Sequence, residues 1–445
     1  MRTEPIRALW KPLALAFSQR GATLYAVGGF VRDGLLNRPN EDVDLASALL
    51  PQQVEELLRA EGIPYRLVNP RLGTLWIWMG EQRAEYTSFR TESYGTGGSH
   101  RPDAVTFTDS LVQDALRRDF TANALYEDLL TGEIVDPLGG RADIGQRVLR
   151  AARPEAERTL SDDGLRILRL ARFAARLDFS VAEDTFRAAK ANVSLLRDVA
   201  WERKREELDR ILMGERVYRG LTLLYELGAL PYLLPELMAC EGVAQRSDYH
   251  AYDVLFHQFH ACAAASPTPI GRLSALLHDV GKPAAKQRDG TFYMHPLEGE
   301  RLARTMLTRL RYPKDTVERV CFLIRNHMFD LDGRAKEATL RQRFCLWGKE
   351  AVSELADLRE ADVNGSGKQS SYRAERWRAV LGRMIEEGVP FQGEGLTVDG
   401  SDIVRTLSVD GAAVGRIKEK LVLHCAVHPE DNQRERLLKR MHDYR

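Results

Sequence analysis

Asp42 and Asp44 stand two apart in Asp42-Val43-Asp44-Leu45, and on a strand that spacing projects both carboxylates from one face. Two such groups repel unless a cation lies between them. Hard oxygen donors suit Mg²⁺, which keeps waters and takes substrate phosphates as its remaining ligands, so the pair is a candidate for in-line displacement at phosphorus. Just upstream, Val27-Gly28-Gly29-Phe30-Val31-Arg32-Asp33 joins a strand-like run to a helix-like one. Its glycines let backbone N–H groups approach a phosphate at a helix start, and Arg32 adds a guanidinium to hold a phosphate oxygen. Gly-x-x-x-x-Gly-Lys-Ser/Thr is absent, which excludes a P-loop.

A second constellation lies further on. Ser161 reads as an N-cap with Asp162 and Asp163 in a first helical turn, where negative charge suits the helix dipole. Asp163 and Arg166 are then one turn apart and offer an acceptor and a forked donor to one base edge. The nine arginines at 141, 147, 150, 153, 158, 166, 169, 172 and 176 come without a lysine between them. That bias suits planar contacts with phosphates and base edges, although a solvated charged face would carry the same residues.

The elements that must position these groups follow from periodicity. Thr23–Val27 and Leu75–Trp78 are strand-like, Pro51–Ala60 is helix-like, and beyond Ser161 apolar residues recur at helical spacing, as in Leu165, Leu168, Phe173 and Leu273, Leu276, Leu277. The fold class is therefore α+β, a mixed-sheet head followed by helices. Breaks are expected near Arg153-Pro154, at Gly214 and at the linker-like Asn364-Gly365-Ser366-Gly367.

Taken in order, Gly28-Gly29-x-x-Arg32-Asp33 with Asp42-x-Asp44, Arg117-Arg118-Asp119-Phe120-Thr121-x-Asn123, Asp136-Pro137-x-Gly139-Gly140-x-x-Asp143 and Asp162-Asp163-x-x-Arg166-x-x-Arg169-x-x-Arg172-Phe173 resemble the class II tRNA nucleotidyltransferases, the CCA-adding enzymes, and their poly(A) polymerase relatives. The resemblance implies Mg²⁺ at Asp42 and Asp44, with Glu85 as a third carboxylate or else a strand-surface glutamate. It implies nucleotide contacts from Gly29, Arg32, Arg118, Arg169 and Arg172, and Asp163 with Arg166 as a protein template choosing CTP and ATP. The substrate would be tRNA. Glycine-rich Thr91–His100 occupies the place of the family's flexible loop for the switch from C to A addition. His257, His278-Asp279, His295, His327 and Asp362 resemble the HD phosphohydrolase signature, which implies a divalent metal (Mg²⁺, Mn²⁺ or Ni²⁺); His250 would be a further ligand or only a neighbour.

Four parts are expected: a nucleotidyltransferase head at 1-150, a base-selecting neck at 151-215, a body with the HD site at 216-365 and a tRNA-binding tail at 366-445. In the tail the basic Arg434, Arg436, Lys439 and Arg440 would grip RNA phosphates. Sixty-four basic against 64 acidic residues leave no overall polyanion-seeking field. No apolar run reaches the roughly 20 residues of a membrane helix, no signal-peptide layout opens the chain, and five scattered cysteines suit a reducing compartment. A cytoplasmic protein without membrane contact, monomeric or homodimeric, is expected. Two rivals remain: a poly(A) polymerase, disfavoured by the neutral charge, and an HD metal phosphohydrolase whose head merely senses nucleotides.

Overall fold

Period-two alternation dominates the N-terminal part and builds its sheet. The computed structural model describes residues 4–95, 102–368 and 374–444. After helix α1 (Glu4–Gln19) the strands are β1 (Tyr25–Val27), β2 (Val43–Ser47), β3 (Tyr65–Asn69), β4 (Thr74–Met79) and β5 (Gln82–Ser88), with helices α2 (Gly29–Leu35) and α3 (Pro51–Ala60) between them. A hairpin of β6 (Arg90–Ser93) and β7 (Ala104–Phe107) follows, then helix α4 (Leu111–Leu116), β8 (Tyr126–Asp128), β9 (Ile134–Val135) and helix α5 (Gly140–Gln146). The main sheet runs β3-β4-β5-β2-β1-β8-β9, with β2 and β5 parallel and the other neighbours antiparallel. One sheet face carries the buried Leu75, Ile77, Ala84 and Tyr86, the last against Phe17 of α1 at 5.8 Å. Each such large side chain contributes about 1.5–3 kcal/mol by leaving water. The other face holds Asp44, Glu85 and Trp76 at alternate positions. Of the glycine-rich stretch Thr91–His100, the part from Thr96 onward lies outside the described residues.

Helices α6 (Ala156–Asp162), α7 (Leu165–Leu177), α8 (Glu183–Ala191) and α9 (Trp201–Leu212) follow. Here the expected cap is displaced. Ser161 lies inside the last turn of α6, not ahead of a helix, and Asp163 is extended (φ −147°, ψ 108°) between α6 and α7. Its carboxylate takes the first amide of α7 (Leu165 N–H, 2.9 Å). The chain turns because Gly164 sits on the Leu195 backbone, where a Cβ would approach to 3.0 Å. Asp162 and Asp163 therefore end one helix and start the next.

The chain divides into two units, Met1–Leu233 and Leu234–Arg445. The second is helical, with a core of Phe344, Trp377, Val352 and neighbours, and a smaller one of Ile403, Leu421, Leu437 and Met441 in the tail. The expected linker Asn364–Gly367 is instead a packed helix end. Gly365 closes the helix Lys349–Gly365, and a Cβ there would strike the Ala261 backbone at 2.4 Å. All five cysteines are buried and unpaired. No helix among the described residues is long and apolar enough to cross a membrane.

Candidate active site and candidate metal centre

Strand register assembles the head site. Asp44 on β2 is the Cα partner of Glu85 on β5 on one side and of Val27 on β1 on the other, with Asp42 just before β2. Three carboxylates thus meet on one face. The Asp44 carboxyl is pushed up to about 6, first by the protein enclosing it and second by the Glu85 charge. An acid held against its own charge beside two others is a donor set that a divalent cation would satisfy.

Directly after β1, Gly28 turns the chain into α2 with φ +67° and ψ −127°. A side chain there would meet the Arg118 guanidinium at 3.4 Å and Asp44 Oδ2 at 3.6 Å, tolerable distances, so the backbone angle is what requires glycine. Gly28→Ala is expected to cost the head about 1–3 kcal/mol, read as a lower unfolding midpoint, with a parallel loss of nucleotide affinity.

The arginines are held by buried acids. Arg32 donates to Asp33 (Nε–Oδ1 2.8 Å) and to the Asn123 side chain; burial lowers its pKa and Asp33 opposes this. Arg118 donates to the Tyr126 hydroxyl (3.0 Å) and to Asp114 (3.2 Å). Burial would raise the Asp114 carboxyl, but Arg117, Arg118 and the Tyr126 hydroxyl outweigh it and hold it at about 2. Its folded pKa is depressed from 3.8, so this stabilisation of about 2 kcal/mol is present above pH 4 and lost as pH falls toward 2. The gap in urea midpoint between wild type and Asp114→Asn is therefore expected to be constant above pH 4 and to close below it.

From α7, Arg169 pairs with Asp119 (Nε–Oδ2 2.8 Å), whose carboxyl it holds well below the usual range against burial, and Arg172 pairs with Glu207 (3.1 Å). Burial and the Arg169 charge press Arg172 down to about 10. The guanidinium carbons of Arg32, Arg169 and Arg172 surround the Phe173 ring at 5.1, 5.4 and 4.4 Å. Arg166 donates to the carbonyls of Thr159 (2.8 Å) and Arg117 (2.6 Å), while Asp163 caps α7, so the two are not a side-by-side pair. Both still border the pocket that holds Gly29, Arg32, Asp44 and Arg118, a cavity of about 1120 Å³ whose cationic lining is all arginine. The arginine run is split: Arg166, Arg169, Arg172 and Arg176 face this pocket, whereas Arg150 and Arg153 pair with Asp143 and Asp162. Sequence reasoning assigned no role to Asp114, Asp119, Asn123 or Glu207. The first three lie in or beside Arg117–Asn123; Glu207 carried no local signal.

In the second unit five elements converge. His257 lies on the helix Val254–Ala264, His278-Asp279 follow the helix Pro269–Leu277, His295 opens the helix His295–Arg309, His327 follows Lys314–Asn326 and Asp362 lies on Lys349–Gly365. Nδ1 of His278, His295, His327 and His257 lies 2.8, 2.8, 2.6 and 3.3 Å from the carbonyls of Ala275, Phe292, Ile324 and Gly365. A neutral imidazole whose Nδ1–H is so used keeps its lone pair on Nε2, free for a metal. The Nε2 atoms face each other, His257 to His278 and His295 to His327, both at 3.2 Å. Asp279 joins the two sets, Oδ2 at 3.3 Å from His278 and Oδ1 at 3.2 Å from His295. Asp362 Oδ1 is 3.0 Å from His257. Opposed lone pairs and two carboxylates fit divalent metal. The groups form two ligand triplets, His257-His278-Asp362 and Asp279-His295-His327. His250 stands outside both, edge-on to His257 at 4.5 Å. Gly281 lets the His295 helix pass, since a Cβ there would strike the His295 carbonyl at 2.2 Å. In the tail, Arg434 pairs with Asp402 and Arg436 with Asp431.

Family models match three stretches of the chain. Residues 24–150 match the poly A polymerase head domain, 178–240 the probable RNA- and SrmB-binding site of polymerase A, and 270–363 the HD domain. The CCA-adding enzyme of Lactococcus lactis subsp. cremoris (strain MG1363) is 40% identical over 227 residues, 50% of this chain and 54% of that protein. That of Geobacillus stearothermophilus is 39% identical over 216 residues, 48% and 52%. The match thus spans about half the length of these curated relatives. The crystal structure of the Bacillus stearothermophilus CCA-adding enzyme in complex with CTP aligns with 98% of this chain and 96% of its own, at 26% identity and a TM-score of 0.72. A Thermotoga maritima CCA-adding enzyme complexed with tRNA shares the fold at 17% identity, a TM-score of 0.60 and coverage of 99% and 94%.

Proposed function

We propose that this chain, which belongs to the nucleotidyltransferases with a poly(A) polymerase head and carries an HD domain behind it, is a CCA-adding tRNA nucleotidyltransferase. It adds C, C and A to the 3′ end of tRNA from CTP and ATP. The observation that carries the reading is the register of Asp44 with Glu85 beside Asp42, on the floor of an arginine-lined pocket entered by α7.

In this reading the RNA 3′-hydroxyl oxygen attacks the α-phosphorus, the bond to the β-phosphate oxygen breaks and pyrophosphate leaves. Asp42, Asp44 and Glu85 would hold Mg²⁺, which when bound lowers the hydroxyl pKa and offsets charge at phosphorus. Gly28 and Gly29 bring backbone close to the phosphates, and Arg118 and Arg32 balance their charge. Arg169 and Arg172, fixed by Asp119 and Glu207, hold the nucleotide against α7. Arg166, oriented by two carbonyls, and Asp163 read the base edge. Incubating tRNA that lacks its 3′ end with CTP, ATP or both, then sequencing the product, tests this. C-C-A is expected with both nucleotides. A long A-tail from ATP alone would instead identify a poly(A) polymerase, and two C residues alone a C-adding enzyme.

A second activity is favoured by the imidazole cluster. His257, His278, Asp279, His295, His327 and Asp362 would hold Mg²⁺, Mn²⁺ or Ni²⁺ at a phosphohydrolase site, with Lys282, paired to Asp279 at 2.5 Å, drawing in a phosphate. A reducing compartment such as the cytoplasm suits the buried free thiols.

A further inference from the structure

The row of residues that includes Asp44 and Glu85 does not stop at the pocket. Strand register continues it outward: Glu85 pairs with Trp76 on β4, and Trp76 with Arg66 on edge strand β3. All four side chains stand on the sheet face opposite the buried Leu75, Ile77, Ala84 and Tyr86. The two-residue turn Gly80-Glu81, with Gly80 at φ +60°, locks β4 to β5 through the Met79–Gln82 pair and so fixes Trp76 opposite Glu85. Arg83, two positions from Glu85 on the same face, lays its guanidinium carbon 4.4 Å from the Trp76 ring centre. Arg66 approaches that ring at 5.8 Å, and Trp78 stands edge-on at 6.4 Å. Arg66 and Arg83 are exposed and both tryptophans half-buried.

Core packing does not require this arrangement. Two tryptophans and two arginines on an open face keep large flat surfaces in water, where shorter polar residues would serve a strand equally well. Their chemistry is that of a single-strand platform: flat rings and guanidinium planes for bases, with cationic charge for the phosphates between them.

Position selects the occupant. The carboxylates divide the floor: Gly28, Arg32 and Arg118 lie on the β1 side of Asp44, and Trp76 on the β4 side of Glu85, with Arg83, on the β5 strand of Glu85 at the cavity's edge, reaching its guanidinium over that ring. In-line displacement puts attacking and leaving oxygens on opposite sides of phosphorus. With the triphosphate on the glycine turn, the attacking 3′-hydroxyl comes from the other side. Trp76 is two strand spacings from Asp44, about 10 Å, which leaves the terminal nucleotide over Glu85 and the one before it over the ring. We propose that Arg83, Trp76 and Arg66 bind the single-stranded 3′ segment of the RNA acceptor and guide its terminal hydroxyl to the carboxylates. This rests on the nucleotidyltransfer reading above.

The test uses the full chain as wild type, Trp76→Ala, Trp76→Phe and Arg83→Ala, with two readouts. Anisotropy measures affinity for a labelled single-stranded RNA with the sequence of a tRNA 3′ end, and initial rates give KM for tRNA and for nucleotide separately. Trp76→Ala and Arg83→Ala are expected to weaken RNA affinity and raise KM for tRNA by about tenfold, the scale of one lost base stack. KM for nucleotide stays unchanged, and Trp76→Phe recovers most of the loss. An unmoved RNA affinity in Arg83→Ala, whose exposed side chain leaves the fold intact, would overturn the proposal. So would a rise confined to KM for nucleotide, or a dimer of this chain that Trp76→Ala dissolves. RNA bound through this row by a wild-type chain that transfers no nucleotide would sink the transferase reading and leave the row standing.

Discussion

Asp44→Asn is expected to abolish nucleotide transfer, lowering the single-turnover rate by about 10³-fold or more, while making the metal-free protein more stable at neutral pH. The first effect follows from removing one of three carboxylates that meet at the pocket floor, on the scale seen when a group that balances charge in phosphoryl transfer is lost. The second follows from the sign of its pKa. Asp44 is raised from 3.8 to about 6 in the fold, so its contribution is favourable below the unfolded value and lost as pH rises through 6. Above pH 6 the folded head carries the Asp44 charge beside two further carboxylates, and the amide removes it. Scanning calorimetry at pH 7.5 should give a higher Tm for Asp44→Asn without Mg²⁺, and Mg²⁺ should raise the wild-type Tm more than the variant's. A variant that loses both stability and activity would mean that Asp44 holds the sheet together rather than a cation.

Asp279→Ala is expected to have the largest effect in the second unit. Asp279 is the one carboxylate of the Asp279-His295-His327 triplet and also lies 3.3 Å from His278 of the other, so its removal opens the first triplet and disturbs the second, and metal content measured on the purified chain should fall. Hydrolysis of a phosphodiester reporter should fall with it, by about 10³-fold, whereas nucleotide transfer should not change. There is also a structural cost. Lys282 is nearly buried and pairs with Asp279, so removing the carboxylate leaves the ammonium with Gln245 (2.5 Å) but without its counter-charge, at a cost of about 3–5 kcal/mol. His295→Ala separates the effects, since it deletes one imidazole and leaves Lys282 its partner. Metal loss in both variants with destabilisation confined to Asp279→Ala is the expected pattern; full metal content in Asp279→Ala would reject the assignment.

Much of this was legible without coordinates, because some chemistry is written in local spacing. A period of two determines that Asp42 and Asp44 share a face, Gly-Gly after a strand determines a turn into a helix, and Pro51–Ala60 is helical over its full predicted length. The helical remainder and the buried thiols follow from periodicity and from unpaired spacing. Local signals misled where two elements meet. Ser161 has the chemistry of an N-cap, yet packing of Gly164 on Leu195 moves the helix boundary and gives that role to Asp163. Asn364–Gly367 has the composition of a linker, but Gly365 is there because another helix needs its space.

What the tertiary structure alone decided is which distant groups stand together. Glu85 joins Asp44 only because β2 and β5 pair in parallel register across an intervening helix and hairpin. Asp119 and Glu207 anchor Arg169 and Arg172 from 50 and 35 residues away, and Asp279 meets His295 and His327 only where separate helix ends converge. Residue type and short spacing fix what a side chain can do. The company it keeps depends on long-range pairing, whose stabilisation comes from burying apolar faces rather than from the functional groups themselves, so the local pattern carries no trace of it.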